Sequence, residues 1–159
     1  KLIALDRRFA VADRLEARHG RPPRERVVQD VEVPLEATAE FLRWFLFEVP
    51  IEPIWLCPLR LRSDEPWSLY PLRPGETYVN VGFWSSVPAD TGAGPGATNR
   101  RIEHEVTALG GHKSLYSESF YDEEEFDRLY GGPQYAVLKQ RWDPDGRLPG
   151  LYAKAVRGA

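Results

Sequence analysis

The hydrophobic period switches back and forth between two and 3.6 along residues 27–117, and the order of those switches leaves few folds open. Val27, Gln29, Val31 and Val33 share one face of an alternating run that Pro34 ends. Residues 35–48 then read as a helix carrying Phe41, Leu42, Trp44, Phe45, Leu46 and Phe47. Residues 54–61 form a second strand, with Trp55, Cys57 and Pro58 in it; a proline there predicts an edge strand or a bulge. A Pro-rich polar loop over 62–76 leads to a third strand at 77–84, with Tyr78, Val79, Val81 and Phe83. Thr98 or Asn99 caps a helix over 98–109 striped by Ile102, Val106 and Leu109. Gly110 closes it, and a fourth strand follows at 112–117. Strand, helix, strand, strand, helix, strand is the split βαβ order of the ferredoxin-like α+β fold. It predicts one four-stranded antiparallel sheet with both helices on one face. The other face is free to meet a domain, a ligand or a partner.

The flanks are helical. Lys1 to His19 carries Leu2, Leu5, Phe9, Ala12 and Leu15 at helical spacing, and Gly20 with Arg21-Pro22-Pro23-Arg24 makes a stiff linker. Residues 1–26 are therefore expected to be a helix and linker, 27–117 the sheet domain, and 118–159 a C-terminal appendage of two helices. Within that appendage Asp122 and Glu125 have capping-box spacing, followed by Phe126, Leu129 and Tyr130. Gly131 supplies a left-handed stop, Pro133 opens the next helix, and Asp143-Pro144-Asp145-Gly146 is a turn. The 35–48 helix is apolar nearly all round. That suits either a central core helix or one with a face covered by something outside the chain.

Composition removes several classes. A net charge of −3 gives no field for nucleic acid or an anionic membrane. No run of eighteen apolar residues offers a spanning helix. A single cysteine, Cys57, permits no internal disulfide, which suits a reducing, cytoplasmic setting. Methionine is absent and residue 1 is a lysine inside a helix-like run, so the chain is expected to be part of a longer protein.

Few constellations carry chemistry. Gly92, Gly94 and Gly96 resemble a dinucleotide turn only superficially: the spacing is G-x-G-x-G, and Pro95 removes an amide donor. His104-Glu105 is followed by Ala108 where a zinc-binding histidine belongs, and the three histidines have no metal-ligand spacing, so no metal is expected. The acidic run 122–125 is explained by a helix N-terminus. What remains is His112-Lys113-Ser114-Leu115-Tyr116-Ser117, with Tyr121 beyond it. Alternation puts Lys113 and Leu115 on one face and His112, Ser114 and Tyr116 on the other. A partly exposed strand with a snorkelling lysine is the scaffold reading of the same segment.

Three segments carry a family resemblance: GGHKSLYSESFYDEEEF, then YGGPQYAVLK, then DPDGRLPGLYAK, with QDVEVPLEATAEFLRWFLFEVPIEPIWLCPL upstream. In this order and spacing they resemble the C-terminal, substrate-domain part of FAD-linked oxidoreductases of the vanillyl-alcohol-oxidase type, in particular the sterol Δ24-reductase-like branch. Leu148 departs from the Phe often found in the terminal motif. The resemblance implies FAD bound mainly by a preceding FAD-binding domain of the same protein, with NADPH as electron donor. It implies reduction of an isolated C=C bond in a lipid, a sterol side chain or a methylene-branched fatty acyl chain, and membrane association through that substrate. By position it implies catalytic roles for Lys113 and Tyr116, flavin contacts for His112, Lys113 and Tyr121, and substrate contacts for Trp55 and Tyr116. Because alternation separates Lys113 from Tyr116, one is expected near the flavin and the other packed. The fragment alone is expected to be inactive. Two alternatives stay open: an FAD-dependent oxidase of a hydroxylated substrate, and a non-enzymatic ferredoxin-like module that forms a homodimer through its open face.

Overall fold

A computed structural model describes residues 18, 22–90 and 92–158. The helix expected at 1–19 lies outside the described residues apart from position 18. The described elements run β1 (Arg24–Pro34), α1 (Leu35–Glu48), β2 (Ile54–Leu59), β3 (Tyr78–Pro88), α2 (Ala97–Ala108), β4 (His112–Lys113), α3 (Glu123–Leu129), α4 (Gly132–Trp142) and α5 (Leu151–Ala155). The strands lie in the order β2-β3-β1-β4, every neighbouring pair antiparallel. This is the α+β, ferredoxin-like sheet that the element order predicts. Pro58 sits on an edge strand, where its missing N–H costs no ladder bond.

Register explains the core. Val31 faces Val81, Val33 faces Val79 and Gln29 faces Phe83, so the odd positions of β1 and β3 share one side of the sheet. Phe41 and Phe45 of α1 and Ile102 and Val106 of α2 close over that side, and all four are fully buried. Both helices therefore cover the same face. Each fully buried Phe, Val or Ile contributes about 1.5–3 kcal/mol relative to exposure. The Phe45 and Phe83 rings meet with centroids 4.5 Å apart. Of the two readings of α1, the central-helix one fails: Phe41 and Phe45 point in, while Phe47 is 83% exposed and Leu46 also stands out.

Besides shifts of one or two residues, such as β2 ending at Leu59 rather than 61, three departures from the expected elements stand out. First, β3 runs on to Pro88 because β1 starts early, at Arg24, and pairs with it there; Arg24 Nε donates to Ser86 Oγ at 2.8 Å. Second, neither Thr98 nor Asn99 caps α2. The cap position is Gly96, and the free amides of Thr98 and Asn99 donate instead to the Glu25 carboxylate of β1 at 3.0 and 2.9 Å. Burial pushes Glu25 upward, but these two amides prevail and hold its carboxyl below the usual range. Third, β4 is two residues long rather than six. Ser114 N still donates to Asp30 O at 2.9 Å, after which the chain folds back so that Phe120 N reaches Glu103 on α2.

The appendage has its own small core. Tyr121, Phe126 and Tyr130 are buried together, with Tyr152 of α5 against Phe126 at 5.4 Å between centroids. Asp122 caps α3 by accepting from Glu125 N at 2.8 Å, and Gly131 has φ of 68°. Three helices stand where two are expected; α5 is too short to show a period. Tyr130 ties the appendage to the sheet, its hydroxyl donating to Lys113 O at 2.7 Å.

Gly111 lets β4 reach the sheet. A Cβ there would lie 2.5 Å from Glu32 O and 3.0 Å from Val106 Cγ1. Gly111→Ala should cost about 1–3 kcal/mol as overpacking that backbone atoms cannot relieve. A urea midpoint equal to that of the parent chain would contradict this.

Candidate functional site

The second face of the sheet carries the chemistry. Glu32 pairs with Asn80 and His112, Asp30 with Gly82, and Val28 with Trp84, while Trp55 of β2 lies opposite Gly82. Ser114 and Tyr116 follow His112. Gly82 leaves room for the Asp30 carboxylate, which lies across it and would have to turn aside for a Cβ. The loop after β2 folds over the β4 side, where Leu61, Leu72 and Tyr78 are buried together with Tyr70 against them.

The buried part of this face is polar and short of cations. Glu32 is 3% exposed. Its Oε1 accepts from Asn80 Nδ2 at 3.0 Å and from Ser114 Oγ at 2.9 Å. Ser114 Oγ also lies 3.1 Å from Tyr70 OH. Glu32 Oε2 and His112 Nε2 are 3.6 Å apart, and neither has a hydrogen-bond partner. Burial pushes Glu32 up, against the pull of Asn80 and Ser114. Burial pushes His112 down to about 4, so it is neutral at pH 7. Tyr70 is raised by burial and then by the Glu32 charge. The Tyr70 and Tyr78 rings stand edge-on to His112, with centroids 4.9 and 5.8 Å away.

The exposed part is aromatic. Trp55, Trp84 and Tyr116 are all more than half exposed. Burial and the neighbouring Asp30 raise the Tyr116 phenol, which therefore keeps its proton. A groove of about 1110 Å³ runs from Tyr116 past Arg24, Arg26 and Phe120 to Lys154 and Arg157.

The face thus brings together Trp55, His112 and Tyr116 of the expected site residues. It does not include Lys113. That side chain points to the helix face, fully buried, with Nζ 2.9 Å from Glu103 Oε1 and 2.6 Å from Glu118 O. Tyr121 is buried in the appendage core, and its hydroxyl has no partner. Sequence reasoning placed Ser114 in the segment without giving it a role, and missed Glu32, Asn80 and Tyr70. A signal existed for the first: Asp30 and Glu32 alternate with the valines of β1 and so must share its second face. Tyr70 lies in a loop without period and gave none.

The face sets exposed Trp55, Trp84 and Tyr116 beside the Asp30 carboxylate and the buried Glu32, Ser114 and His112. It does not offer a phosphate cradle. The amides at the start of α2 are engaged by Glu25, so an anion arriving there would meet a carboxylate. Among the described residues, no three His, Cys, Asp or Glu side chains gather as a metal site. No described helix is long and apolar enough to cross a membrane.

No family model matches the chain, and no solved structure does. Curated proteins do. The chain is 28% identical over 134 residues to the human Delta(24)-sterol reductase, covering 84% of this chain and 26% of that protein. It is 29% identical over 149 residues to the Arabidopsis thaliana Delta(24)-sterol reductase, covering 83% and 26%. It is 30% identical over 136 residues to the Caenorhabditis elegans Delta(24)-sterol reductase homolog dhcr-24, covering 84% and 25%. The chain thus spans about a quarter of the length of the relatives it matches.

Proposed function

We propose that this chain forms the substrate side of an FAD-dependent reductase that saturates an isolated C=C bond of a lipid, a sterol side chain in the first place. The observation that carries the reading is its similarity, over more than four fifths of its length, to proteins named Delta(24)-sterol reductase. The open face supports it. A hydrocarbon tail is bound by large apolar surfaces with a few placed polar groups. Trp55 and Trp84 supply the surface, and Tyr116 supplies a protonated phenol. FAD, bound mainly by parts of the parent protein outside this chain, supplies hydride when NADPH has reduced it. Neutral His112 and the Ser114 hydroxyl add buried polarity beneath the exposed aromatics, with the Asp30 carboxylate beside Tyr116. Lys113 and Tyr121 act from behind, by holding β4 and the segment after it.

The test is stopped-flow kinetics on the intact parent flavoprotein. Reduced flavin should be reoxidised by an alkene lipid. Trp84→Ala should raise KM about tenfold, from lost apolar contact. Tyr116→Phe should raise KM about two- to tenfold, from the loss of one hydrogen bond that orients the lipid. A parent protein that binds no flavin, or whose reduced flavin ignores every alkene lipid, would refute the reading. The isolated chain should be colourless, for want of a phosphate cradle; a stoichiometric yellow preparation would contradict that.

A further inference from the structure

The sheet buries one carboxyl on each face and treats the two oppositely. On the helix face Glu103 meets the Lys113 ammonium at 2.9 Å and the Phe120 amide at 3.0 Å, so its oxygens are matched by donors. On the open face, Glu32 has no lysine or arginine within 4 Å among the described residues; its sole ion-pair neighbour is His112. The groups that face it are Asp30 from its own strand, Tyr78 and Asn80 from β3, His112 and Ser114 from the β4 side, and Tyr70 from the loop. Tyr116 and Tyr130 stand further out. Arg73, the nearest cation of that loop, is committed to Tyr78 OH at 3.2 Å and Glu76 at 3.1 Å.

Glu32 Oε2 and His112 Nε2 are buried 3.6 Å apart, and neither has a hydrogen-bond partner. Such a pair costs free energy unless a proton lies between them. A carboxylic acid at Glu32 removes the uncompensated buried charge and, with His112 carrying its own proton on Nδ1, turns a donor towards Nε2. A neutral acid is thereby placed at the inner end of a row of hydroxyls: Glu32 Oε1, Ser114 Oγ at 2.9 Å, Tyr70 OH a further 3.1 Å on.

We infer that Glu32, Ser114 and Tyr70 form one proton-delivery chain that ends at the Tyr70 hydroxyl and supplies the proton accompanying hydride transfer to the double bond. This inference rests on the reductase reading above. With FAD bound and reduced in the parent protein, hydride would reach one alkene carbon as the π bond breaks. The Tyr70 O–H bond breaks and its proton forms the second C–H bond. The phenolate regains a proton from Ser114, and Ser114 regains one from Glu32. For this last transfer the carboxyl turns, carrying its proton from the His112 side to the Ser114 side. The carboxylate left behind takes a proton from water. Tyr70 is the group that touches substrate; Glu32 and Ser114 act through it, and Tyr116 positions the lipid.

Two measurements test this. Infrared difference spectra of the purified chain at pH 7 should show a protonated carboxyl band that Glu32→Gln removes. If that variant does not fold, Ser114→Ala should shift the same band. Absence of the band from the parent chain, or its persistence unchanged in the variants, overturns the inference. In the intact flavoprotein, Tyr70→Phe should slow reoxidation by the alkene at least tenfold and leave reduction by NADPH unchanged. Ser114→Ala should move the pH profile of reoxidation, which a merely structural role would not. Wild-type reoxidation retained in Tyr70→Phe refutes the relay. Failure of wild-type flavin to react with any alkene refutes the reductase reading instead, and leaves the carboxyl band to be judged by itself.

Discussion

Lys113→Met should destabilise the chain by about 3–5 kcal/mol, the range for removing one partner of a buried ion pair. The Lys113 and Glu103 side chains are both wholly enclosed. Burial pushes Glu103 up and Lys113 down, and each partner's charge works against that push. The carboxylate also accepts from Phe120 N at 3.0 and 3.2 Å, and the ammonium donates to Glu118 O. Four donors and acceptors are thus committed, and the donors all presuppose an ionised acid. Methionine fills the space but leaves that acid without a cation. The variant must then hold Glu103 protonated, with its folded pKa above the unfolded one. Its stability should therefore rise as pH falls through that raised pKa, over a wider pH range than in the parent, where the ammonium opposes the rise of Glu103. The double variant Lys113→Met, Glu103→Leu removes both charges and should recover much of the loss, since apolar replacements of buried pairs are often neutral. Urea unfolding of the three variants decides it. A loss under about 1 kcal/mol for Lys113→Met would show that water reaches the pair.

The second large effect is acid sensitivity above pH 4.5. His112 titrates near 4 when folded and near 6.5 when unfolded. Its folded pKa is depressed, so the unfolded chain binds the proton first. Stability is full above 6.5 and falls as pH is lowered towards 4, by about 3 kcal/mol for a shift of this size. Glu32 has the opposite sign. Its folded pKa is raised, so the folded chain binds the proton first, and stability is gained as pH falls through that raised value. Below the normal carboxyl range a third contribution enters, because Glu25 is held low and its two amide bonds are lost on protonation. In the window from 6.5 to 4.5 the raised Glu103 on the helix face adds to Glu32 with the same sign, and His112 alone opposes them. His112→Phe keeps a ring against Tyr70 and Tyr78 and removes the first contribution. Its stability should rise on acidification across that window, where the parent chain loses stability. Parallel curves for the two would mean that His112 is not held neutral.

Much of this fold can be read from β1. Its valines at 27, 31 and 33 mark the helix side, and the same alternation places Asp30 and Glu32 on the other. The caps at Asp122 and Gly131 are equally legible, because a cap acts within four residues and uses few residue types. What escapes the reading is non-local. Glu25 caps a helix that starts more than seventy residues later, so no spacing rule finds it. β4 ends after two residues because Phe120 and Lys113 are drawn to Glu103, a tertiary pull that overrides its strand-like composition. Tyr70 reaches Ser114 from a loop whose prolines reveal only that it is a loop. For the site, position in the strand shows that Lys113 and Tyr116 lie on opposite faces. Which of them is enclosed depends on a carboxylate in another element.

A strand of two residues gives almost no hydrogen-bond ladder with which to choose its alignment. For β4 the choice falls to the side chains. A slip of one residue would turn Lys113 outward and drive His112 against Glu103, since successive strand residues point to opposite faces. Glu103 would lose its ammonium, and the lysine would arrive where Glu32 already has its contacts with Asn80 and Ser114. Each wrong alignment therefore strands a buried charge, whereas the native one strands none on the helix side. The ion pair that adds little as an attraction thus acts as a key, admitting β4 to the sheet in one alignment only. The alignment of the open face, its histidine, serine and the tyrosine beyond, is set from the side of the sheet that no substrate touches.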